Sequence, residues 1–150
     1  MAAEIAAREL DHRGTHTAQL QKRLWEGLQV KITHLKLNGP TLGPKRLATN
    51  LNLSIGFVEG EGVVLLGDMQ GIAMTSGTSC VSKSLKVSPV LTAIGLEHSL
   101  AQGAVILSLG KDNTDEEIDY VLDTLPKIVT KLRGMSPSWD EFQRSGQVSV

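Results

Sequence analysis

The single cysteine of the chain, Cys80, lies in the segment MTSGTSCVSKSLKVSP, which runs from residue 74 to residue 89. A cysteine thiolate is a strong nucleophile and can carry sulfur. The neighbours of Cys80 are glycine and small hydroxyl-bearing residues, which predict an exposed, pliable loop. Lys83 and Lys86 follow in sequence and favour the thiolate form. The alternative is a buried structural cysteine, a common environment for a free thiol, and the residues alone leave both interpretations open.

Two other patterns were candidates for chemistry and are rejected. His12 and His16 have the i, i+4 spacing of two metal ligands on a helix, but no third ligand is evident, so a solvated helix face is the better interpretation. The stretch GPTLGPKR, residues 39–46, lacks the spacing of a phosphate-binding loop and contains two prolines, which have no amide donor. The sequence therefore predicts no metal site and no phosphate site.

Composition limits the class of protein. The chain has 150 residues, of which 41% are hydrophobic and 21% charged, as expected for one globular domain. A net charge of −1 with mixed signs argues against binding to nucleic acid or to a membrane surface. The first residues lack the apolar core of a signal peptide, and a lone cysteine cannot form an internal disulfide. We therefore expect a cytoplasmic protein with a reduced thiol.

The pattern of apolar residues predicts helices at both ends of the chain and short strands between them. Residues 2–30 have helical periodicity, which Gly14 is expected to divide, and Thr114 to Glu117 form a capping box that starts a long apolar-faced helix ending at Gly134. The remaining predicted elements are strands at 31–37, 49–58, 71–74 and 104–109, a weak helix at 63–66, and a helix that starts at Ser88 and ends at Gly95. The tail, from residue 136, is predicted to be a docking segment or a frayed end. This order predicts an α+β layer with a three- or four-stranded sheet covered by helices on one face.

Several motifs, taken in order along the chain, resemble the C-terminal part of a cysteine desulfurase of the class V aminotransferase superfamily. LQKRLWEGL resembles the helix before the small domain of these enzymes, and LNG is followed by NLNLSIGFVEGE. TSGTSCVSKSLKVSPVL resembles the SSGSAC-like loop that carries their catalytic cysteine. GLEHSLAQGAVILSLGKDNTDEEIDYVL then follows at the spacing that the family shows.

The resemblance implies a fold and a division of the chain. The fold would be the small C-terminal domain of a fold-type I pyridoxal-phosphate enzyme, α+β, with a short, mostly antiparallel sheet covered by helices. Residues 1–30 would form an N-terminal helical segment, either the end of a large domain or a linker helix. Residues 31–150 would form the small domain, with the catalytic-cysteine loop at about residues 75–88.

The resemblance also implies an activity. Cysteine desulfurases remove sulfur from L-cysteine with pyridoxal phosphate, which a lysine of the large domain holds. By the motif match, Cys80 accepts the sulfur as a persulfide and passes it to an acceptor, such as an iron–sulfur scaffold or a thiolation pathway. Ser76, Gly77 and Ser79 would shape the loop. The resemblance assigns no cofactor-binding residue and no resident metal to this chain, and it allows Cys80 as a transient iron–sulfur ligand.

Two features depart from the family pattern. First, no motif for the cofactor lysine is present, and 150 residues are too few for both domains. The chain would be either a domain of a longer protein or one half of a split enzyme, inactive alone and paired with a separate large-domain chain. Second, Ile106 stands where the family usually has an arginine that clamps the substrate carboxylate, and Lys111 is a poor geometric substitute.

Because of Ile106, two alternatives to a desulfurase stay open. One is a non-catalytic module that relays sulfur or binds a scaffold, and the other is a different class V lyase, such as a selenocysteine lyase. In each case the sequence predicts a protein that binds neither nucleic acid nor membrane.

Overall fold

The computed structural model describes residues 1–76 and 87–146. Helices and strands alternate along the chain in the order expected for a mixed fold. The elements are α1 (Ala2–Lys31), β1 (Leu35–Leu37), β2 (Asn50–Ile55), α2 (Gly60–Asp68), β3 (Thr75–Ser76), α3 (Pro89–Ala93), α4 (His98–Gln102), β4 (Ala104–Ser108), α5 (Asp115–Arg133) and α6 (Pro137–Ser145). Within the described ranges, no helix is both long enough and apolar enough to span a bilayer.

The four strands form one antiparallel sheet in the order β1-β2-β4-β3. Leu37 lies opposite Leu53 on β2, and Leu53 lies opposite Val105 on β4. Ser76 of the edge strand β3 also pairs with Val105. The prediction of an α+β fold with a short antiparallel sheet is therefore confirmed.

One face of the sheet forms the main hydrophobic core. Alternate residues of β2 and β4 point to this face and are almost fully buried: Leu51, Leu53, Ile55, Val105 and Leu107. Leu20, Leu24 and Leu28 of α1 pack against them from one side, and the apolar stripe of α5 packs from the other. The apolar residues at every second position of the strands thus pack against the apolar residues that recur with helical spacing in α1 and α5.

The start of α5 agrees with the capping box predicted from the sequence. Thr114 caps the helix, because its side-chain oxygen accepts a hydrogen bond from the backbone N–H of Glu117. The Glu117 carboxylate accepts in return from the backbone N–H of Thr114 at 3.2 Å and from the Asn113 side chain at 2.8 Å. These bonds satisfy backbone N–H groups that have no partner within the first turn of a helix, and they thereby fix where α5 begins.

Ion pairs join the outer sides of α1 and α5. Arg23 binds Asp115 and Asp119, the latter at 2.7 Å, and Lys31 binds Asp123 at 2.7 Å. All of these groups are substantially exposed to solvent, so each pair contributes little stability compared with the buried leucines beneath.

The tail predicted as a docking segment or a frayed end is the helix α6 as far as Ser145. Trp139 and Phe142 of α6 pack against His34 and Phe57, with ring centroids 4.9 Å apart for the His34–Phe142 pair. The buried guanidinium of Arg133 lies 4.6 Å from the centre of the Trp139 ring. Residues 147–150 lie outside the described part of the chain.

Within residues 1–76 and 87–146, no helical layer like that of α1 and α5 covers the other face of the sheet, in agreement with the prediction of helices on one face. A small second cluster forms where Leu91 of α3 and Leu100 of α4 pack against Ala104, at one end of this face. Among the described elements, α1 and α5 thus cover one face, and α3 and α4 reach the other face at the start of β4.

Two expectations were wrong. Gly14 does not divide α1, which is continuous through this position. Thr17 donates its hydroxyl to the carbonyl of Arg13 at 2.8 Å, within the helix. The strand predicted at 71–74 forms instead at Thr75–Ser76, because the pairing of these two residues with β4 decides where the strand lies.

Candidate active-site face

The predicted catalytic segment is described only in part. Ser76 is the last residue of β3, opposite Val105. Gly77, Ser79 and Cys80 lie outside the described residues, as do Lys83 and Lys86. The roles predicted for these residues, and the exposure predicted for the Cys80 loop, stay predictions. The described end of this segment lies on the sheet, at the edge strand β3.

A row of side chains crosses all four strands and ends where the cysteine segment begins. The backbone N–H of Asn38, which directly follows β1, donates to the carbonyl of Asn52 at 2.9 Å. Asn52 lies opposite Ile106, and Ile106 lies opposite Thr75. This row lies on the face turned away from the main core. We call this surface the open face; its row connects Asn38 to the strand that leads toward Cys80.

The side chains that the four described strands place on the open face are mostly polar, and none of them is acidic. By the register, it presents Lys36, Asn50, Ser54 and Ser108 beside the row. Ser54 is fully buried, whereas Asn50, Asn52 and Thr75 are half-buried. A polar sheet face of this kind is suited to hydrogen bonding rather than to packing against an apolar layer.

Two amide side chains form a fixed network on the open face. The Asn38 Nδ2 group donates to Asn52 Oδ1 at 2.8 Å and to Ser54 Oγ at 2.8 Å. Asn38 is only 4% exposed, and its Oδ1 atom is buried without a hydrogen-bond partner among the described residues. A buried acceptor without a donor costs about 1–3 kcal/mol, so this atom marks a place where the polar network of the open face is incomplete.

Arg46 holds the end of β1 next to this network. Its Nε donates to the carbonyl of Pro40 at 2.8 Å, and its Nη2 donates to the carbonyls of Asn38 and Pro40. Among the described residues, its Nη1 contacts the carbonyl and the side chain of Asn50, both at 3.5 Å. Partial burial lowers the pKa of Arg46 from its ordinary value, but the group stays cationic at neutral pH because that value is so high.

Ile106 occupies the centre of the row. It lies between Asn52 and Thr75 and is half-buried. Its side chain offers no hydrogen-bond donor, so this position cannot hold a carboxylate. The guanidinium of Arg46 lies elsewhere, at the edge of the sheet, where it binds the carbonyls of Asn38 and Pro40.

The other sequence candidates do not form sites in the structure. The Nε2 atom of His16 lies 2.9 Å from the carbonyl oxygen of Asn113, and no group of metal-ligating side chains is found across residues 1–76 and 87–146. Residues 39–46 form a loop in which the guanidinium of Arg46 donates to backbone carbonyls.

The described residues do not fit pyridoxal phosphate, which the resemblance implies. That cofactor requires a lysine in an enclosed pocket. A groove of about 680 Å³ lies between α4 and the α5–α6 junction, lined by residues such as Phe57, Leu100 and Met135. Neither this groove nor two smaller ones are lined by a lysine. No chemical step is therefore assigned to the cofactor within the described part of this chain.

Sequence reasoning missed the network of Asn38, Asn52 and Arg46. The alternation of β2 did place Asn50, Asn52 and Ser54 on one side of the strand, which was the available signal. Arg46 lies in the stretch GPTLGPKR, which was considered only as a phosphate loop. Its role depends on how the loop 39–46 folds back, which local patterns do not reveal.

The family model described as aminotransferase class-V matches residues 2–121. "Cysteine desulfurase IscS" of Clostridium botulinum is 42% identical over 144 residues, which cover 96% of this chain and 36% of that protein. "Cysteine desulfurase IscS" of Methanosarcina thermophila is 44% identical over 137 residues, which cover 91% of this chain and 33% of that protein.

A solved structure of a "NIFS-like protein" has the same fold. It superposes with a TM-score of 0.69 at 29% identity, covering 86% of this chain and 31% of that one. The chain thus spans about a third of the length of the relatives that it matches. The resemblance predicted from the motifs is confirmed by these matches. Since the family model covers most of its length, the chain belongs to the class V aminotransferase family.

Proposed function

We propose that this chain is the sulfur-accepting part of a pyridoxal-phosphate-dependent cysteine desulfurase. One observation carries the proposal: a chain that matches a protein named cysteine desulfurase over 96% of its length has its single thiol just beyond the strand that borders the open face. In this proposal Cys80 is the sulfur carrier, and Ser76, Gly77 and Ser79 shape its loop.

The reaction that Cys80 carries out is a sulfur transfer. The Cys80 thiolate attacks the sulfur atom of the substrate, so that a sulfur–sulfur bond forms and the carbon–sulfur bond breaks. The electron pair of the broken bond stays on carbon, which takes up a proton. The net result is that L-cysteine and the Cys80 thiol become L-alanine and a Cys80 persulfide. When bound, pyridoxal phosphate supplies the stabilisation of charge on carbon that this cleavage needs.

The cofactor belongs to another part of the protein or to a separate chain in this proposal, because the described residues do not fit it. Residues 1–30 would then be the helical segment that connects to that part, and residues 31–150 the small domain. The terminal sulfur of the persulfide passes to the thiolate of an acceptor, such as an iron–sulfur scaffold protein. A reduced thiol is needed for both steps, which supports a cytoplasmic location.

The test uses this chain, a cofactor-bearing large domain taken from a desulfurase relative, pyridoxal phosphate and L-cysteine. Mass spectrometry of the intact chain is expected to show the added mass of one sulfur atom, which a reducing agent removes. Cys80→Ser should abolish this addition, because no other thiol exists in the chain. Ser99→Ala, a hydroxyl change in the groove beside α4, is the matched control and should leave the addition intact.

An unmodified Cys80 in a mixture that folds and binds the cofactor would contradict the proposal. Persulfide formation on the large domain alone would do the same. In both cases the chain would not accept sulfur from L-cysteine.

A second candidate function is a non-catalytic sulfur relay, which the position of Ile106 favours. The centre of the open face lacks a donor for a substrate carboxylate. Ile106→Arg distinguishes the two functions in the reconstituted mixture. A desulfurase is expected to release alanine faster with this variant, whereas a relay that takes sulfur from a donor protein is expected to show no change in its sulfur uptake.

A further inference from the structure

Two residues at one end of the sheet have left-handed backbone conformations. His34 directly precedes β1 and has a φ of 52°, and Phe57 follows β2 and has a φ of 66°. No other non-glycine residue in the described ranges has a positive φ. An L side chain is crowded in this region, and a bulky ring more than most, so both positions cost free energy. Such strain persists where the surrounding structure holds it.

A single guanidinium holds the two peptide groups that precede these residues. Arg133, the last residue of α5, is 6% exposed. Its Nη2 donates to the carbonyl of Thr33 at 2.6 Å and to that of Gly56 at 3.1 Å, and its Nε donates to Gly56 at 3.2 Å. The N–H of Gly56 in turn donates to the carbonyl of His34 at 2.8 Å. Because these bonds fix the peptide group in front of each strained residue, they couple the two turns to each other.

The helix α6 covers this pair of turns with two rings. Trp139 and Phe142 are half-buried, and no described residue of α6 is buried. The ring centroid of Phe57 lies 5.2 Å from that of Trp139 and 4.9 Å from that of Phe142. The His34 ring lies 5.9 Å and 4.9 Å from the same two rings. The Trp139 ring also covers the guanidinium of Arg133, at 4.6 Å. The strained residues therefore form the seat of α6, and α6 shields the side chain that holds them.

The attachment of α6 is weak compared with that of the two long helices. Leu24 of α1 and Leu125 of α5 are almost fully buried in the main core, whereas α6 contributes half-buried rings. A segment with little buried surface can open while the rest stays folded. Opening removes the ring contacts and exposes Arg133 to water, which weakens its bonds to both carbonyls. His34 and Phe57 can then leave their strained conformations, and the release of strain favours the open state.

We propose that α6 is a detachable strap, which opens as a unit while the sheet, α1 and α5 stay folded, and whose closure holds His34 and Phe57 in left-handed conformations through Arg133. The strap has two discrete states, because the two turns either keep a positive φ or relax. Closure of α6 and strain in the turns therefore appear and disappear together.

The opening of α6 changes the groove beside it. Phe57 lines this groove of about 680 Å³, and Ser136, Pro137 and Ser138 form its wall at the start of α6. In the open state this wall moves away, and the rings of the seat become accessible. The strap thus controls access to the groove, and this role does not depend on the sulfur transfer proposed for Cys80.

The first experiment measures hydrogen exchange of the unaltered chain by nuclear magnetic resonance at low concentrations of urea. The N–H of Gly56 reports on the turns, because its hydrogen bond to His34 joins them. Amides in the middle of α6 report on the strap. Both are expected to exchange through one opening, with the same dependence on urea and at least about tenfold more often than the most protected amides of α5.

Two results of this measurement would overturn the proposal. One is exchange of Gly56 on global unfolding alone while α6 exchanges separately, which would show that the strap and the turns are independent. The other is protection of α6 equal to that of α5, which would show that α6 does not detach. Since the unaltered chain is decisive by itself, the outcome does not depend on the folding of a variant.

The second experiment loosens the strap. Trp139→Ala removes the ring over Arg133 and should increase the exchange of α6 and of Gly56 about tenfold or more. Backbone coupling constants and the Cα and Cβ chemical shifts distinguish positive from negative φ, and they should show that His34 and Phe57 relax. An opened strap with unchanged φ at both residues would contradict the proposal.

Glu141→Ala is the matched control, because Glu141 is exposed and lies on the opposite side of α6 from Trp139. This variant should leave the exchange and the couplings as they are in the unaltered chain. Arg133→Lys keeps the charge and both rings of α6, but lysine lacks the planar fork that reaches two carbonyls. It should increase the exchange of Gly56 and of α6 together, about tenfold or more. An increase at Gly56 without one in α6 would overturn the coupling through Arg133.

Discussion

The two faces of the sheet are built from the same strands and have opposite properties. On β2 and β4, Leu53 and Val105 face α1 and α5 and are fully buried. The residues next to them, Asn52 and Ile106, face the other way and are only half-buried. The first face is covered by helices of this chain, whereas on the second the buried Asn38 Oδ1 atom lacks a hydrogen-bond partner among the described residues. Along each strand, one set of alternate side chains thus stabilises the fold, whereas the other set is available for binding.

The largest expected effect comes from truncating the covered face. Leu53→Ala should lower the free energy of unfolding by about 2–5 kcal/mol, because Leu53 is fully buried and its loss leaves a cavity. Ile106→Ala removes a similar side chain from the open face and should cost clearly less. Urea unfolding followed by circular dichroism measures both values. Equal losses for the two variants would mean that the open face is also a packed core face.

Removing the cap of α5 should have an intermediate effect. Thr114→Ala deletes the oxygen that accepts from the Glu117 backbone N–H and should cost about 1 kcal/mol. The measurement is urea unfolding followed by circular dichroism. An unchanged free energy of unfolding would mean that this cap does not stabilise the helix on the covered face.

The ion pairs at the rim of the helical layer should matter less. Arg23→Gln removes the pairs with Asp115 and Asp119 and should cost about 0.2–1 kcal/mol, since these groups are well exposed. The loss should shrink further in high salt, which screens exposed charges. Unfolding at low and high salt tests this expectation. A large, salt-independent loss would assign Arg23 a packing role instead.

The smallest effect concerns the response of the covered face to acid. Hydrogen bonds from the Asn113 side chain and the Thr114 backbone N–H lower the pKa of Glu117. The stabilising effect of this carboxylate is therefore present above the ordinary glutamate pKa and is lost as the pH falls through the lowered pKa. Glu117→Gln should flatten the decline of stability in that acidic range. The measurement is unfolding at a series of pH values.

Glu116→Gln provides the control for this pH series. Its carboxylate makes no hydrogen bond within residues 1–76 and 87–146, so this variant should keep the acid slope of the unaltered chain. An equal flattening in both variants would mean that general charge, rather than the capping box, causes the slope.

The covered face could be predicted from the sequence far better than the open one. The alternation of β2, the apolar stripe of α5 and the capping box at Thr114 each depend on local periodicity or on a short motif, and each was confirmed. The position of β3 was missed because two residues pair with β4 through a long-range contact, which no local pattern encodes. Gly14 was given too much weight, because one glycine costs a long helix only about 1 kcal/mol.

The candidate site could be predicted only where a motif carried it. Cys80 and its neighbours were identified by resemblance, and their roles stay predictions. The network of Asn38, Asn52 and Arg46 depends on the register of the strands and on the path of a loop. Its residues carry no distinctive spacing, so the structure was needed to bring them together.

The long helix α1 contains two environments within one backbone. All of its buried residues lie between Thr17 and Leu28, although the helix starts at Ala2. Amide protons of the covered half should exchange with deuterated solvent only when the core opens, whereas those of the first half should exchange within the time of local fraying. A partner that docks on the first half of α1 would slow amide exchange in that half and not in the covered half. Hydrogen exchange in this one helix would therefore report on assembly.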